Sequence, residues 1–297
     1  MGQIRIGTTS WSERTLTTEG HFYPEDATTP EARLRFYASR FPVTEVDSTY
    51  YGLLRERNAA LWVERTPEGF VFDVKAFRLF TYHRTPIKAF PSDLRAALGA
   101  TKPNLYYEDV PEEIRLELWQ RFRSALEPLR AAGRLGAVLF QFAPWFVFRR
   151  AHLEHVALCA ERMQGFRVAV EARNKTWFDE KHRRGALEFE KDHHLVNVVV
   201  DEPQGFASSV PPVWEVTDPS LAVVRLHGRN AETWNDKAAQ TAAERFGYLY
   251  DTSELCEIAR GVRGLSRRAD EIHVLFNNCY RDNAQVNAAR LRELMHA

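Results

Sequence analysis

Eight short β-branched runs recur along this chain with helix-length segments between them, and that alternation restricts its fold more than any other feature. The runs are IRIGTT from Ile4, VTEVDS from Val43, FVFDVKA from Phe70, GAVLFQF from Gly136, FRVAVEA from Phe166, LVNVVVD from Leu195, LAVVRLHG from Leu221 and EIHVLFNN from Glu271. Strands spaced this widely cannot pair as tight hairpins. Each must be returned by a crossover, which lays the strands parallel. Eight such units are what a closed barrel needs, and 297 residues is within the size range of a single α/β barrel, typically about 250. The expected fold is therefore α/β: one TIM-type (β/α)8 barrel domain over residues 1–297.

The crossovers read as helices around Glu31–Arg40, Arg57–Thr66, Pro111–Ala132, Arg150–Met163, Asp179–Asp192, Ser253–Arg263 and Gln285–His296. Thr29 before Pro30 is an N-cap followed by proline at the first helical position, and Asp251 with Glu254 has the spacing of a capping box. The sixth unit differs. EPQGFASSVPPVWEVTDP, after the sixth run, is rich in Pro, Ser and Gly, so a loop is expected to replace its helix. The connections Phe77–Val110 and Arg229–Tyr250 are long for a compact domain. Both leave the carboxyl ends of strands, where such loops cover or build sites.

Composition narrows the function classes. Lys plus Arg and Asp plus Glu each number 40, for a formal net charge of zero. No global field draws the chain to nucleic acid or membrane, and anion recognition must be local. Three cysteines, Cys159, Cys256 and Cys279, form no CxxC pair, which argues for a reducing compartment and against a disulfide framework or structural zinc. MGQIRIGTTSW enters a strand pattern at once, with no signal core, and nothing approaches the ~20 apolar residues of a membrane span. The expected location is cytoplasmic, with no membrane partner.

Strand alternation then sorts side chains by face. Placing the apolar set of each run under the helices turns Arg5, Glu45, Asp47, Asp73, Lys75, Gln141, Arg167, Glu171, Asn197, Asp201, Arg225, His227, His273 and Asn277 toward the barrel axis. Such an interior is far more polar than the aliphatic layers of a purely structural barrel. Isolated buried charges cost several kcal/mol, so these must be paired or wet. Arg5, Glu45, Asp73, Arg167 and His273 lie toward strand starts and read as a structural network. The strand ends offer Trp11, Asp47, Ser48, Lys75, Gln141, Glu171, Arg173, Asp201, Arg225, His227, Asn277 and Asn278 at the carboxyl face, where barrel sites are built.

The motifs IGTTSW, FYP, EVDSTYY, FDVKAFRLFT, LFQFAPWF, VEARNKTWF, RLHGRN and LFNNCYRDNAQVNA, in that order from Ile4 to about Leu294, resemble the YecE-like family, a group defined as a domain of unknown function. The resemblance implies a TIM barrel and no established reaction. The chain departs from the family pattern at Ser10, usually glycine, and at Asn174, where histidine commonly follows the Glu-x-Arg of the fifth strand. The second departure removes a possible proton carrier.

Three chemistries compete for the strand ends. A glycosidase pair is disfavoured because Gln141 and His227 stand at the ends of the fourth and seventh runs, where many barrel glycosidases have carboxylates. Glu171, Asp201 and His227 end three consecutive strands and could hold a divalent metal, yet Lys75, Arg173 and Arg225 could neutralise those carboxylates without one. The metal and any other cofactor stay open. The cations point to a phosphate- or carboxylate-bearing small molecule. Arg225, Arg229, Asn277 and Asn278 beside Gly228 form one candidate anion pocket, and Trp11, Tyr51, Trp145 and Trp177 a stacking wall. The leading expectation is a hydrolase, lyase or isomerase in which Arg225 and Lys75 hold the anion while Glu171 and His227, with Asp201, handle protons. The alternative is a nucleic-acid or nucleotide binding module without turnover. Oligomeric state has no signal in the sequence.

Overall fold

The computed structural model describes residues 1–99, 102–234 and 246–296. Eight parallel strands close a barrel: β1 (Gln3–Thr8), β2 (Val43–Val46), β3 (Val71–Lys75), β6 (Leu135–Gln141), β7 (Val168–Glu171), β8 (Leu195–Asp201), β9 (Ala222–Leu226) and β10 (Glu271–Phe276). Neighbours follow chain order around the ring, and β10 closes it on β1 from Gln3↔Glu271 to Thr8↔Phe276. Among the described residues two further strands, β4 (Thr85–Pro86) and β5 (Asn104–Leu105), form a small antiparallel pair after β3.

Local signals set the crossovers. Thr29 caps the helix Pro30–Arg40 by accepting from Ala32 N, and proline at the first position costs no hydrogen bond there. Asp251 and Glu254 close a reciprocal capping box on Thr252–Leu265. The long connection after β3 is largely built rather than structureless, holding the β4–β5 pair and the helix Ser92–Leu98 ahead of the helix Glu112–Ala131. In the connection after β9, residues 235–245 lie outside the described residues.

The connection after β8 contains no α-helix from residue 202 to 221. Its Trp214 takes up helix space instead: a Cβ on Gly261, in the helix Thr252–Leu265, would come within 2.6 Å of that indole ring. A loop lying on a strand brings unpaired backbone groups with it. Asn197 meets that demand, its backbone N–H donating to Thr217 Oγ1 and its side chain to the Val213 carbonyl, while Thr217 donates to the Leu195 carbonyl. Asn197 therefore faces outward under the loop, not the barrel axis as its sequence alternation suggests.

At the amino-terminal end of the barrel the charges are paired with one another. Glu271 bridges Arg5 and Arg167, and Asp73 accepts from the Ala137 N–H and pairs with His273 at 2.8 Å. Gly136 is required here, since a Cβ would stand 2.2 Å from Asp73 Oδ1 and 2.7 Å from His273 Cε1.

Candidate functional site

A ladder of alternating charge crosses the barrel above that network. Glu45 on β2 takes two hydrogen bonds from Arg225 on β9, each 2.8 Å, and Arg225 donates its third to Glu171 Oε2 on β7. Glu171 Oε1 accepts from Gln141 Nε2 at 2.6 Å and from Arg173 at 3.1 Å. Arg173 then reaches Glu202 at 3.3 Å. The order is Glu45, Arg225, Glu171, Arg173, Glu202. Charged groups this deep persist only because each guanidinium fork is matched by carboxylate oxygens.

The ladder sets the protonation of its members. Burial alone would raise Glu171, but Arg225, His227 and Arg173 hold its carboxyl well below the usual range. Burial pushes the ends of the ladder up to about 7, Glu45 against the pull of Arg225 and Glu202 against that of Arg173. His227 is fully buried beside Glu171 and is lowered by burial to about 3, so it is neutral near pH 7. Both of its ring nitrogens are engaged. Thr9 Oγ1 donates to Asn277 Oδ1 at 2.6 Å, Asn277 Nδ2 lies 2.7 Å from His227 Nδ1, and His227 Nε2 lies 3.1 Å from Glu171 Oε1 and 3.0 Å from Arg173 Nη1.

Above the ladder the barrel mouth holds a cavity of about 410 Å³. Lys75, Gln141, Arg173 and Asn277 rise into it from the strand ends, and Asp47, Ser48, Tyr51, His83, Thr9, Ser10, Glu13 and Cys279 complete most of the wall with Phe142, Pro144 and Phe246. Lys75 Nζ is 2.7 Å from Asp47 Oδ1 and 4.7 Å from the Tyr50 ring centre. Burial alone would lower that ammonium, but Asp47 more than offsets it and the pKa is raised, so Lys75 is a cation at neutral pH. His83 is lowered to about 3 by burial and by Lys75, Arg78 and Arg173, and is neutral there.

Of the strand-end and stacking-wall residues singled out in the sequence, Asp47, Ser48, Tyr51, Lys75, Gln141, Arg173 and Asn277 line this cavity and the others do not. Glu171, Arg225 and His227 lie beneath it, at 0%, 1% and 1% exposure. Arg225 spends its donors on Glu45 and Glu171 and, unlike Lys75 and Arg173, does not reach the cavity wall. Asp201 is not part of the ladder. It faces outward, where Arg229 donates to both its oxygens and Tyr250 Oη donates at 2.8 Å. Arg229 is further tied to Glu257. Asn278, next to an inward neighbour, alternates outward and bonds Asn287 and the Tyr248 carbonyl.

Trp11 packs edge-on against Trp62 and Phe72 under the helices, and Trp177 is buried with its indole donating to the Phe146 carbonyl. Neither belongs to a stacking wall. Asn174 accepts from Thr176 N and donates to the Pro144 carbonyl at 2.7 Å, so it pins two loops to each other. Sequence reasoning did not single out Glu202, Thr9, Glu13 or Cys279. Glu202 would have emerged had β8 been set one residue over, since the residue after an outward Asp201 faces in. With Asp201 turned away, Glu171 and His227 lack the third ligand expected of a metal site, and among the described residues no three His, Cys, Asp or Glu side chains converge as a metal would need.

Known proteins share this architecture and chain length. The profile described as "Protein of unknown function DUF72" matches residues 5–297. The chain belongs to that family. It is the group to which the YecE-like motifs point. A curated relative, the UPF0759 protein YunF of Bacillus subtilis (strain 168), is 30% identical over 294 residues, covering 98% of this chain and 94% of the relative. Solved DUF72 structures superpose along the whole chain. One from Enterococcus faecalis V583 has a TM-score of 0.77 at 27% identity, covering 100% of this chain and 99% of that one. One from Thermotoga maritima MSB8 has 0.77 at 29%, covering 99% and 100%. The family description assigns no reaction, so a functional reading has to come from the site. Among the described residues no helix is long and apolar enough to cross a membrane.

Proposed function

We propose that this DUF72 protein is an enzyme acting on a small phosphate- or carboxylate-bearing molecule bound at the carboxyl face of its barrel. The observation that carries the reading is the placement of Lys75 and Arg173 on one cavity of about 410 Å³, a volume suited to a small ligand. Lys75 and Arg173 take the anion. Arg225, which the sequence nominated for that role, instead holds Glu171, and Glu171 in turn steadies Arg173 and Gln141.

In this reading Glu171 and His227 are positioning residues. A carboxylate kept anionic and surrounded by donors is a poor proton acceptor, and a buried imidazole lowered to about 3 is a poor acid near neutrality. Asp47 stands on the cavity wall beside Lys75 and is the group placed to move a proton. The chemistry that fits is proton transfer in a hydrolysis, elimination or isomerisation.

Calorimetric titration with inorganic phosphate tests the anion site. Wild type should bind it, and Lys75→Ala and Arg173→Ala should each weaken binding at least tenfold. A single bound anion also gives a shallow dependence on salt. A steep salt slope with an oligonucleotide, and no phosphate binding, would replace this reading with a nucleic-acid module. Once a substrate is found, Asp47→Asn should retain phosphate binding and lose turnover by ~10² or more.

A further inference from the structure

Two large aromatic side chains stand half out of water at the mouth of the cavity, on backbone that is firmly held. Trp145 is 51% exposed and is the exposed one of the chain's seven tryptophans. Its neighbours are fixed on both sides: the Pro144 carbonyl accepts from Asn174, and the Phe146 carbonyl accepts from the buried Trp177 indole. The Phe146 ring is itself fully buried, stacked between Phe142 and His152. The exposure of Trp145 is therefore not that of a loose loop.

Tyr51, 58% exposed, ends a 3-10 turn held from below, since Thr49 Oγ1 donates to the Lys75 carbonyl at 2.6 Å and the Tyr51 N–H donates to the Ser48 carbonyl. The two rings are linked through His83 and Tyr50: the His83 ring is edge-on to Trp145 at 5.9 Å and to Tyr50 at 5.2 Å, and Tyr50 is edge-on to Tyr51 at 5.0 Å. The supporting strands β2, β3 and β6 are consecutive in the barrel. They carry these rings to one arc of the rim, while Lys75 and Arg173 lie in the cavity itself.

Resting on the reading that Lys75 and Arg173 take an anion, we infer that the substrate is an anionic carbohydrate, a sugar phosphate or sugar acid, whose ring packs on Tyr51 and Trp145. An aromatic ring held in place offers a flat apolar face at little entropic cost. The C–H face of a sugar matches such a surface, but its hydroxyls then need partners. Thr9, Ser10, Asp47, Ser48, Gln141 and Asn277 supply them, all on the cavity wall. An aryl anion would satisfy the rings and leave that polar lining without partners, at a cost for each group it desolvates.

The test is a calorimetric comparison on the full chain. The probes are inorganic phosphate, phenyl phosphate, and a panel of pentose and hexose phosphates, aldonic acids and uronic acids, each beside its uncharged sugar. At least one sugar anion should bind tenfold or more tighter than inorganic phosphate, phenyl phosphate and its own uncharged sugar. Trp145→Ala or Tyr51→Ala should remove most of that advantage while leaving inorganic phosphate binding within twofold. Both rings are exposed, and circular dichroism and thermal melts would establish that the variants fold. The inference is overturned if inorganic phosphate binds but no sugar anion exceeds it, if phenyl phosphate binds tightest, or if the advantage survives both substitutions. Loss of all anion binding, inorganic phosphate included, would instead overturn the underlying anion-site reading.

Discussion

Glu171 and Asp201 end adjacent strands of one barrel, each is buried, and each is held by arginine and by a hydrogen-bonding ring side chain, yet they do different work. Glu171 faces the axis and joins Arg225, Arg173, Gln141 and His227 directly below the cavity. Asp201 faces the helices, where Arg229 and Tyr250 tie the end of β8 to the loop after β9, Tyr250 Oη also accepting from the Gly228 N–H. Both are carboxylates at the end of a strand. The facing decides which one supports a site and which one fastens a loop.

Removing each carboxylate in turn should separate their roles by the largest effect. Glu171→Ala leaves Arg225 buried with half of its partners gone, and a broken buried pair costs about 3–5 kcal/mol; urea denaturation should show a loss of that size. A loss under about 1 kcal/mol would mean the ladder is not holding the barrel. Asp201→Asn frees Arg229, which is 28% exposed and can rehydrate, so the expected loss is smaller, about 1–2 kcal/mol. Phosphate binding should be unchanged in Asp201→Asn. Binding that fell with it would erase the distinction between the two carboxylates.

The pH dependence of stability sharpens the same contrast at the far end of the ladder. Glu202 is raised to about 7 in the folded chain from an ordinary value near 4.5. Between those values the native state binds more protons than the unfolded one, so this group makes stability fall as pH rises from about 4.5 to about 7. His227, lowered to about 3, acts oppositely, and its contribution is lost as pH falls from about 6.5 toward 3. Glu202→Gln should therefore remove the first component and leave a stability curve that rises more steeply with pH over 4.5 to 7. An unchanged curve would mean Glu202 is not protonated by the fold. Smaller still is Thr9→Val, which removes the donor behind Asn277 and should cost about 0.5–1.5 kcal/mol.

Much of this molecule is legible in its sequence, and the rest is hidden for identifiable reasons. The eight strands and the loop in place of the sixth helix follow from β-branched runs and from the Pro, Ser and Gly content of one connection. Arg225 and Glu171 declare their direction because each is a charge in an otherwise apolar alternation. β8 does not, since LVNVVVD is apolar on both faces and its polar residues, Asn197 and Asp201, sit on the same one. The missing helix and the outward asparagine are one fact: a face covered by a loop needs hydrogen-bonding partners that a helix-covered face does not. Trp11 and Trp177 mislead for another reason. Beyond a strand end the period of two lapses, and nothing local tells a ring on the rim from a ring beneath the helices.

In the proposed function the anion sits in the cavity of Lys75 and Arg173, not on the arginines of β9 and its loop. Crystals grown with inorganic phosphate and with vanadate locate the anion directly. Density is expected within hydrogen-bonding distance of Lys75 Nζ and the Arg173 guanidinium, with Arg225 still paired to Glu45 and Glu171. An anion seated instead on Arg229, or one that draws Arg225 away from its two carboxylates, would contradict it.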